Sequence, residues 1–376
     1  MSEKEQILQP LNKNFKEHYS LCRVGQLFDI FRGKGLCKDD LSDEGNDCIL
    51  YGQLYTEYLY NIEKITYKTN KEILYPVLSK KGDIIMPGSG ESKYDISNSA
   101  VVPYNGIIYG GDLIILRSKK EIDSLYFSYY ITNKLKKQIY KISQGVSIIH
   151  LPIDDLSKIE ITYPSIDLQK KLSRFLFLLD KKMDIIKRQI GILKKYKKGL
   201  IQKLIKKTVF TDYYRLSDVC KIDTGKLDAN QMVVDGKYKF FTCSRDDFYI
   251  NHYAFDCEAI LVSGNGDVGF SKYFKGKFNA YQRTYVLHNF LVNAKFVKII
   301  FDNNVNKIIK KETNVGAMPY IRKSTFDKVL IPKIKKESIE YIVSIYDSLN
   351  YKIDSLEAKL SLLKSFCHQL LNDIFI

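Results

Sequence analysis

The chain has 376 residues, of which 45% are hydrophobic, and its 59 lysines and arginines outnumber 43 acidic residues to give a formal net charge of +16. This length allows two ordinary domains, and this hydrophobic content excludes a disordered chain. The charge favours a polyanionic partner, and nucleic acid is preferred to a membrane surface because no apolar run is long enough to span a bilayer and the amino terminus lacks a signal-peptide core.

The seven cysteines are dispersed along the chain without any C-x-x-C pair. An odd, scattered set without an export signal indicates reduced thiols, so we expect a cytoplasmic protein. The five histidines form no H-E-x-x-H arrangement, and no metal site is predicted.

In chain order, the first half begins with the segment "VGQLFDIFRGK" at 24–34. The segment "KGDIIMPGSGE" at 81–91 has the pattern of a buried strand that runs into a Gly-rich turn, and "GGDLIIL" at 110–116 is another strand-like run. The segment "SQGVSIIHLPIDDLSKIEITYP" at 143–164 contains a Gly followed by a strand-like run that ends in proline. These short runs, rich in Tyr, Phe, Ile and Val, predict a β-rich α+β domain.

The second half repeats this order. The segments "LSDVCKIDTGK" at 216–226, "CEAILVSGNGD" at 257–267 and "NVGAMPYIRKSTFDKVLIP" at 314–332 match the segments at 24–34, 81–91 and 143–164 of the first half. The segment "RTYVLHNF" at 283–290 is again strand-like. The chain is therefore predicted to be a duplicated unit, with a β-rich domain and then a helix in each copy.

A helix is predicted over 181–205, because its apolar residues alternate at spacings of three and four, as in the seam of a coiled coil. The same alternation recurs near the carboxyl end. The two predicted seams consist of Met183, Ile186, Ile190, Leu193, Leu200 and Leu204, and of Ile353, Leu356, Leu360, Leu363, Leu370 and Ile374. A shift of 170 residues superimposes the seams, and it places Lys197 on Cys367 and Asp184 on Asp354.

The two helices are predicted to pair antiparallel. If the second domain is compact and its ends lie close together, the second helix begins near the point where the first one ends. This direction brings Asp354 and Glu357 near the basic residues at 194–203, whereas a parallel pair would set Asp184 beside Asp354. A helix of this length spans roughly 40 Å, and two domains so separated match successive turns of one DNA groove, about 34 Å apart.

The predicted organisation has four segments. These are a first recognition domain at 1–165, a central helical spacer at 166–208, a second recognition domain at 209–335 and a C-terminal helical spacer at 336–376.

Two divergent β-rich domains, each followed by a long helix with an ending such as "KKYKKGLIQKLI" or "FCHQLLNDIF", resemble the specificity subunit of type I restriction-modification systems. The segment "ITYPSIDLQKKLSRFLFLLDKKMDII" is the best single match, and "LIPKIKKESIEYIVSIYDSLNYKID" is a weaker copy that lacks the Gln found at Gln169. The resemblance spans essentially the whole chain through its architecture.

The resemblance implies that each globular part is a target recognition domain for one half of a split double-stranded DNA sequence, and that the paired helices are a ruler for the gap between the halves. It also implies that the helices dock two modification subunits, which carry the adenine methyltransferase site and bind S-adenosylmethionine. Restriction subunits, which use ATP and Mg, would join this assembly. No cofactor is expected in the chain itself.

The chain is expected to be non-catalytic. Its eight prolines include no adjacent pair, so the Asn/Asp-Pro-Pro-aromatic motif of an amino-methyltransferase is absent, and it has no G-x-x-x-x-G-K-[ST] phosphate loop. Asp83, Glu91 and Lys93 occur in the order of a metal-dependent nuclease site, but the second unit has Gly269 in place of the Lys. The Gly-rich "PGSGE" at 87–91 favours a structural turn over a nucleotide cradle.

Three alternatives remain open at this point. The first is the specificity partner of a single-chain restriction-methylation enzyme, or an alternate subunit that is exchanged to vary DNA methylation. The second is a self-sufficient nuclease, and the third is a coiled-coil scaffold that binds no DNA. The net charge and the duplicated globular heads disfavour the scaffold.

DNA phosphates are contacted by Lys or Arg on exposed loops, and bases are recognised by groups such as Arg, Asn or Gln that face a groove edge. The candidates are Arg32, Lys34, Gln53, Lys93, Tyr104 and Gln144 in the first domain, and Lys226, Arg245, Asn265, Lys272, Arg283 and Arg322 in the second. For each residue alone, a solvated charge or a turn-stabilising polar group is the alternative interpretation.

Overall fold

The computed structural model describes residues 19–92, 96–208, 210, 212–312 and 320–375. The chain divides into two compact units, of which the first draws on residues 1–186 and 359–376 and the second on residues 187–358. Among the helices of the described ranges, none is long and apolar enough to cross a membrane.

The described part contains the following elements. The α-helices are α1 (Val24–Leu27), α2 (Gln53–Thr56), α3 (Ser124–Asn133), α4 (Lys136–Ile142), α5 (Ile153–Lys158), α6 (Ile166–Lys207), α7 (Leu216–Val219), α8 (Ala294–Glu312), α9 (Lys323–Phe326) and α10 (Lys336–Ile374), with 3₁₀ turns at Lys38–Asp40 and Ala229–Gln231. The strands are β1 (Ser20–Arg23), β2 (Phe28–Arg32), β3 (Asn46–Ile49), β4 (Tyr60–Asn61), β5 (Lys68–Thr69), β6 (Ile84–Pro87), β7 (Ser89–Gly90), β8 (Ala100–Val101), β9 (Ile108–Tyr109), β10 (Leu113–Ser118), β11 (Ile149–His150), β12 (Glu160–Tyr163), β13 (Tyr213–Arg215), β14 (Lys221–Thr224), β15 (Tyr238–Phe241), β16 (Phe248–Ile250), β17 (Phe255–Ser263), β18 (Ser271–Ala280), β19 (Thr284–His288) and β20 (Leu330–Pro332).

A five-stranded sheet in the order β2-β10-β6-β8-β4 forms the centre of the first unit. Its neighbours are antiparallel except β8 and β4, which are parallel. The strands β6 and β10 are covered on both faces, which explains their continuous apolar runs. Helix α3 packs on the face that carries Ile84 and Ile114, and Leu54 packs on the face that carries Ile85 and Ile115.

A six-stranded sheet in the order β14-β19-β17-β18-β15-β16 forms the centre of the second unit. Here β18 and β15 are the parallel pair, and the other neighbours are antiparallel. Helix α8 packs through Phe296 and Ile300 on the face that carries Ile260 and Leu287. The opposite face has a smaller core around Phe278.

These orders confirm the predicted internal repeat, since five strands of each sheet correspond one to one with the same directions. The caps also correspond: the Asp123 carboxylate accepts a hydrogen bond from Tyr126 N at 2.7 Å at the start of α3, and Asn293 Oδ1 accepts one from Phe296 N at 3.1 Å at the start of α8. A side-chain oxygen at this position satisfies an N–H that lacks a partner within the helix, so each cap fixes where its helix begins.

The two long helices run antiparallel in each unit, as predicted. In the first unit, Leu176 of α6 shares a core with Leu370 of α10. In the second unit, Lys194 Nζ donates to Glu357 Oε1 at 2.6 Å and Lys197 Nζ donates to Asn350 Oδ1 at 2.6 Å. From Lys194 to Lys197 the residue number rises along α6, while the contacted residue on α10 falls from Glu357 to Asn350. The two helices therefore run in opposite directions.

Both helices exceed the seams recognised in the sequence, with 42 residues in α6 and 39 in α10. The seam residues Ile186, Ile190, Ile353, Leu370 and Ile374 are buried, and the other seven are half-buried: Met183, Leu193, Leu200, Leu204, Leu356, Leu360 and Leu363. The buried Ile201 and Cys367 also contribute to these faces.

Gln169 fixes the start of α6. It is 2% exposed, its Oε1 accepts a hydrogen bond from Asp123 N at 3.0 Å, and its Nε2 donates to Pro164 O at 2.8 Å. One side chain thus ties the first turn of α6 to the first turn of α3, which gives this residue of the matched segment a structural role.

Candidate nucleic-acid interface

Three turns meet at one edge of the sheet in the second unit, namely residues 225–228, 264–270 and 281–283. Gly225 N donates to Thr284 O at 3.1 Å, and Gly264 N donates to Arg283 O at 3.0 Å. A Cβ on Gly225 would lie 2.0 Å from Ala280 O, and a Cβ on Gly264 would lie 2.7 Å from Arg283 O. The absence of a side chain therefore lets these turns approach each other.

Arg245 lies on the outside of this edge. Its Nε donates to Asp267 Oδ2 at 2.6 Å, and its guanidinium lies 4.6 Å from the centroid of the Phe270 ring. Lys272 Nζ donates to the carbonyl oxygen of Arg245 at 2.7 Å. The Arg245 side chain remains 69% exposed, so these contacts orient its guanidinium without removing it from solvent.

The remaining candidates of the second domain lie close by. Arg283 and Lys226 are exposed in two of the three turns. Arg322 donates to the hydroxyl of Tyr320 and lies over its ring. The residue before it, Ile321, donates its N–H to the carbonyl oxygen of Gly264, which places Arg322 next to the 264–270 turn. Asn265 is half-buried in the 264–270 turn, and its Oδ1 has no hydrogen-bond partner among the described residues. The structure thus brings all six candidates of this domain to or beside one edge.

The first unit builds the same edge with equivalent backbone hydrogen bonds. These are Gly33 N to Leu113 O at 3.0 Å, Gly88 N to Asp112 O at 2.5 Å and Leu151 N to Gly88 O at 2.9 Å. They correspond to the bonds that Gly225, Gly264 and Ile321 donate in the second unit. The side chains differ, since Asp112 stands where the second unit has Arg283.

Three candidates of the first domain lie at this edge. Arg32 Nη2 donates to Leu151 O at 2.9 Å, and its Nη1 lies 3.9 Å from Asp112 Oδ1. Lys34 is exposed in the turn after β2. Gln144 is exposed, and its backbone exchanges two hydrogen bonds with His150, of 2.9 and 2.7 Å.

The other three candidates do not join them. Tyr104 is exposed at the opposite end of β6, where its hydroxyl donates to Asp47 Oδ2 at 2.5 Å; burial and then this carboxylate raise the pKa of Tyr104 to about 12. Gln53 was expected on an exposed loop, and that expectation is wrong: it begins α2, is 5% exposed, and accepts a hydrogen bond from Leu50 N through Oε1 at 3.2 Å. Lys93 lies outside the described residues.

A groove of about 520 Å³ beside this edge was missed by sequence reasoning. Its lining includes Tyr51, Tyr55, Ser89 and Ile148. The hydroxyl of Tyr55 donates to Ser89 O at 2.6 Å, and the rings of Tyr51 and Tyr55 meet edge to face with centroids 6.4 Å apart. Apolar and aromatic side chains of this kind contact base edges such as the thymine methyl group. The signal in the sequence is the density of tyrosines in "LYGQLYTEYLY" at 50–60.

The nuclease-like order of Asp83, Glu91 and Lys93 does not form an open carboxylate site at Asp83. Asp83 is 2% exposed, and its two oxygens accept hydrogen bonds from Arg117 Nε at 2.8 Å and Arg117 Nη2 at 2.7 Å. Lys80 N and the Tyr109 hydroxyl also donate to it, and burial together with the Asp83 charge raises the pKa of Tyr109. This carboxylate serves the fold, since its lone pairs are used within the domain.

The Gly-rich turn after β6 is likewise occupied by structural bonds. Gly88 N bonds to the carbonyl oxygen of Asp112, and residues 89–90 pair with β11 as strand β7. A Cβ on Gly90 would lie 2.3 Å from the Tyr55 hydroxyl oxygen, so this glycine makes room for the tyrosine. Among the described residues, no group of three or more His, Cys, Asp and Glu side chains is close enough to hold a metal ion.

Comparison with solved structures shows the same fold. The S subunit of a type I restriction-modification system from M. genitalium superimposes with a TM-score of 0.71, at 18% identity and with coverage of 97% of this chain and 98% of that one. A chain from a structure that describes complex assembly and conformational transition of the type I R-M system gives a TM-score of 0.54 at 15% identity, and it covers 95% and 97% of the two chains.

Sequence comparison gives the family. The specificity subunit of the type I restriction enzyme EcoDI from Escherichia coli is 38% identical over 145 residues, which are 39% of this chain and 32% of that protein. The specificity subunit of the MjaVIII enzyme from Methanocaldococcus jannaschii is 27% identical over 276 residues, 70% of this chain and 60% of that protein. The alignments thus span about a third and about three fifths of these relatives. The family model described as the type I restriction modification DNA specificity domain matches residues 16–195 and 211–365, so the chain belongs to that family.

Proposed function

We propose that this protein is the DNA-recognition subunit of a type I restriction-modification complex, in which each globular unit recognises one half of a two-part DNA sequence. The relatives that it matches are named specificity subunits of type I restriction enzymes. A net charge of +16 supports a polyanionic partner, because lysine and arginine side chains neutralise phosphates and release their counterions.

The observation that carries the proposal is the duplicated sheet edge. Its backbone hydrogen bonds are the same in both units, whereas its side chains differ: Arg245 and Arg283 mark the second edge, and Arg32 with the groove at Tyr51 and Tyr55 marks the first. One backbone frame with two sets of side chains is what two different half-sequences require, since phosphate contacts position a protein and base contacts specify the sequence.

We further propose that the paired helices fix the gap between the halves and bind the modification subunits. On α6, Leu178, Ile185 and Ile192 lie outside the pairing seam at intervals of seven residues and are 56%, 55% and 65% exposed. An exposed apolar stripe with heptad spacing favours a helix of a partner protein. The partner that we assign to it is a helix of a modification subunit.

In this proposal the chain is non-catalytic and binds no cofactor itself. Two modification subunits carry the methyltransferase site and bind S-adenosylmethionine, and restriction subunits use ATP and Mg. The engagement of Asp83 by Arg117 supports this division, because the carboxylate that a nuclease would need is already bonded within the fold.

Sequencing of methylated bases in cells that contain or lack this protein tests the proposal. A two-part motif that is methylated only in cells with the protein is the expected result. Identical methylation in both would contradict it. Mobility shifts of a random DNA duplex at low and high salt separate the proposal from a scaffold that binds no DNA, since DNA binding falls steeply with salt.

Exchange of residues 16–165 for those of another specificity subunit tests the two-domain model. The expected result is a change in one half of the recognised sequence only. A change in both halves, or in neither, would refute the assignment of one half to each unit.

Insertion of one heptad into each long helix tests the ruler. A heptad adds about 10 Å at 1.5 Å per residue and keeps the apolar seam in phase. The gap should widen while both halves stay the same, and an unchanged gap would rule out this role of the helices.

A further inference from the structure

A cavity of about 950 Å³ lies within the second unit, where α6, α8 and the 264–270 turn come together. Its walls carry four cationic side chains against two carboxylates. The cations are Lys194, Lys197, Arg245 and Lys298, and the carboxylates are Asp267 and Asp302. Lys194 is also paired with Glu357, whose Oε1 accepts from Lys194 Nζ at 2.6 Å. The positive charge that no carboxylate compensates therefore lies on Lys197, where it acts on a group that enters the cavity.

Lys197 is the least compensated of these cations. Its Nζ donates to a neutral acceptor, Asn350 Oδ1, at 2.6 Å and lies 5.0 Å from the centroid of the Tyr346 ring. Burial and then the charge of Lys298 lower the pKa of Lys197. Lys298, with a side chain 13% exposed, is held by Asp302 Oδ2 at 2.6 Å.

The internal repeat shows that packing does not demand these charges. The offset of 170 residues that relates α3 to α8 and α10 to α6 places Ser128, Thr132 and Cys367 at the positions of Lys298, Asp302 and Lys197. In the first unit this place is closed: Ser99 Oγ bonds to Ser128 O at 2.9 Å and to Thr132 Oγ1 at 3.0 Å, and all four side chains are buried.

The second unit keeps the same geometry around different chemistry. Ser271, which occupies the place of Ser99, donates through Oγ to Asp302 Oδ1 at 2.5 Å. The neutral set of the first unit therefore demonstrates a stable alternative for the same fold. Lys298 is already compensated by Asp302, but Lys197 is not. A lysine that the fold can replace with a cysteine is explained by a ligand, because a half-buried lysine costs free energy unless its charge is compensated.

We propose that this cavity binds a phosphate group, held by Lys194, Lys197, Arg245 and Lys298. Ammonium and guanidinium groups donate several charge-assisted hydrogen bonds, and phosphate oxygens accept them. The apolar side of the cavity, formed by Val268, Val305 and Ile309, excludes water on one side of the bound group and strengthens these bonds.

The phosphate belongs to one of two sources. It is part of the DNA backbone, in which case the inference rests on the proposed function, or it is part of a free nucleotide, in which case it does not. Arg245 links the cavity to the candidate sheet edge, which places the cavity next to a surface that we assign to DNA.

Titration calorimetry of the full chain with inorganic pyrophosphate tests the site. The test variant carries Lys197→Cys, Lys298→Ser and Asp302→Thr, which copy the residues of the first unit and are therefore expected to fold. Its net charge falls by one. The matched control is Lys195→Met, an exposed position of α6 with the same change in charge.

Saturable pyrophosphate binding by the wild type, weakened about tenfold or more in the triple variant and unchanged in the control, is the expected result, since each charge-assisted bond contributes about this much. Absence of saturable binding in the wild type, or equal binding by the triple variant, would overturn the site. Circular dichroism spectra of the three proteins check that loss of binding does not reflect loss of folding.

Competition then assigns the source. Displacement of pyrophosphate by a short random duplex supports a backbone phosphate, and displacement by ATP but not by duplex supports a free nucleotide. The pyrophosphate result stands even if the protein recognises no specific DNA sequence, so failure of the site and failure of the proposed function are distinguishable.

Discussion

In the first unit the turn before β10 places Asp112 within ion-pair distance of Arg32, whereas the second unit has Arg283 and Thr224 at those two positions. The glycines beneath them, Gly33 in the first unit and Gly225 in the second, make the same backbone contact. The close approach to a backbone oxygen requires a residue without a Cβ at this position. The residues that point outward from the turns are not restricted in this way, so the charge of the edge differs between the units while the fold stays the same.

The largest effect is expected where the units differ inside the core. Asp83 and Arg117 form a buried ion pair in the first unit, and the second unit has Ala259 in place of the aspartate. Asp83→Ala leaves Arg117 without its partner and should lower the free energy of unfolding by about 3 kcal/mol. Urea denaturation measures this change. Glu121→Ala, which removes the exposed partner of Lys170, is the control and should stay within about 0.5 kcal/mol.

The glycine contact is the next most sensitive feature. Gly225→Ala places a Cβ about 2 Å from the carbonyl oxygen of Ala280, so the turn must move; we expect a loss of about 2 to 3 kcal/mol and weaker recognition of one half-sequence. Gly199→Ala in α6 meets no atom within 4 Å and should stabilise by about 0.5 to 1 kcal/mol. Equal losses at Gly225 and Gly199 would show that the turn contact has no special importance.

Arg245→Ala and Arg32→Ala test the proposed division of DNA contacts between the two units. Each should weaken DNA binding by about 1 to 3 kcal/mol and relax discrimination in its own half-sequence only. Binding measured on duplexes mutated in one half at a time reports this. Arg174→Ala, an exposed arginine of α6, controls for the loss of one positive charge. If substitution of either arginine relaxed discrimination in both half-sequences alike, the assignment of one edge to each half-sequence would be wrong.

The smallest effect concerns Lys197, which stands where the first unit has Cys367. Because burial lowers its pKa in the folded state, the charged form is disfavoured there, and the folded protein is penalised below that pKa. Lys197→Met should therefore raise the free energy of unfolding at neutral pH, by about 1 kcal/mol at most because the site is partly solvated.

The pH dependence gives this last prediction its direction. The penalty on the wild type disappears as pH rises through the folded pKa of Lys197 toward its ordinary value. Stability of the wild type relative to the Met variant should therefore improve with rising pH. A difference that is constant from neutral to alkaline pH would show that lost packing, not charge, sets the effect.

The sequence predicted the architecture well because its signals are periodic. The seam from Met183 to Leu204 and its copy at Ile353 to Ile374 follow directly from helical spacing, and the repeat then gave the order of the domains. Contacts that depend on the register of a sheet could not be predicted from the sequence. The pair of Asp83 and Arg117 is 34 residues apart in the chain and is made only by the alignment of β6 and β10.

The candidate site shows the same division. Exposed charges next to repeated glycines, such as Lys34 and Lys226, could be selected from the sequence because a turn glycine places its neighbour at the surface. Nothing in the sequence removes Gln53 from the candidates, because "GQLYT" resembles a loop. Gln53 is buried because it begins a single helical turn in which its side chain accepts the hydrogen bond of Leu50 N. The groove beside Tyr51 also required the fold, because it combines residues from three separate segments of the chain.

The core of the first unit includes Leu370, Ile374 and Phe375, and the ring of Phe375 contacts Tyr126 and Tyr130 at centroid distances of 5.6 and 5.4 Å. A ribosome makes these residues after the entire second unit. The first unit to be synthesised is therefore the last to complete its core, and until then its aromatic surface is open. Loss of residues 366–375, by early termination or proteolysis, is expected to damage the amino-terminal unit while it spares the one that lies nearer in sequence.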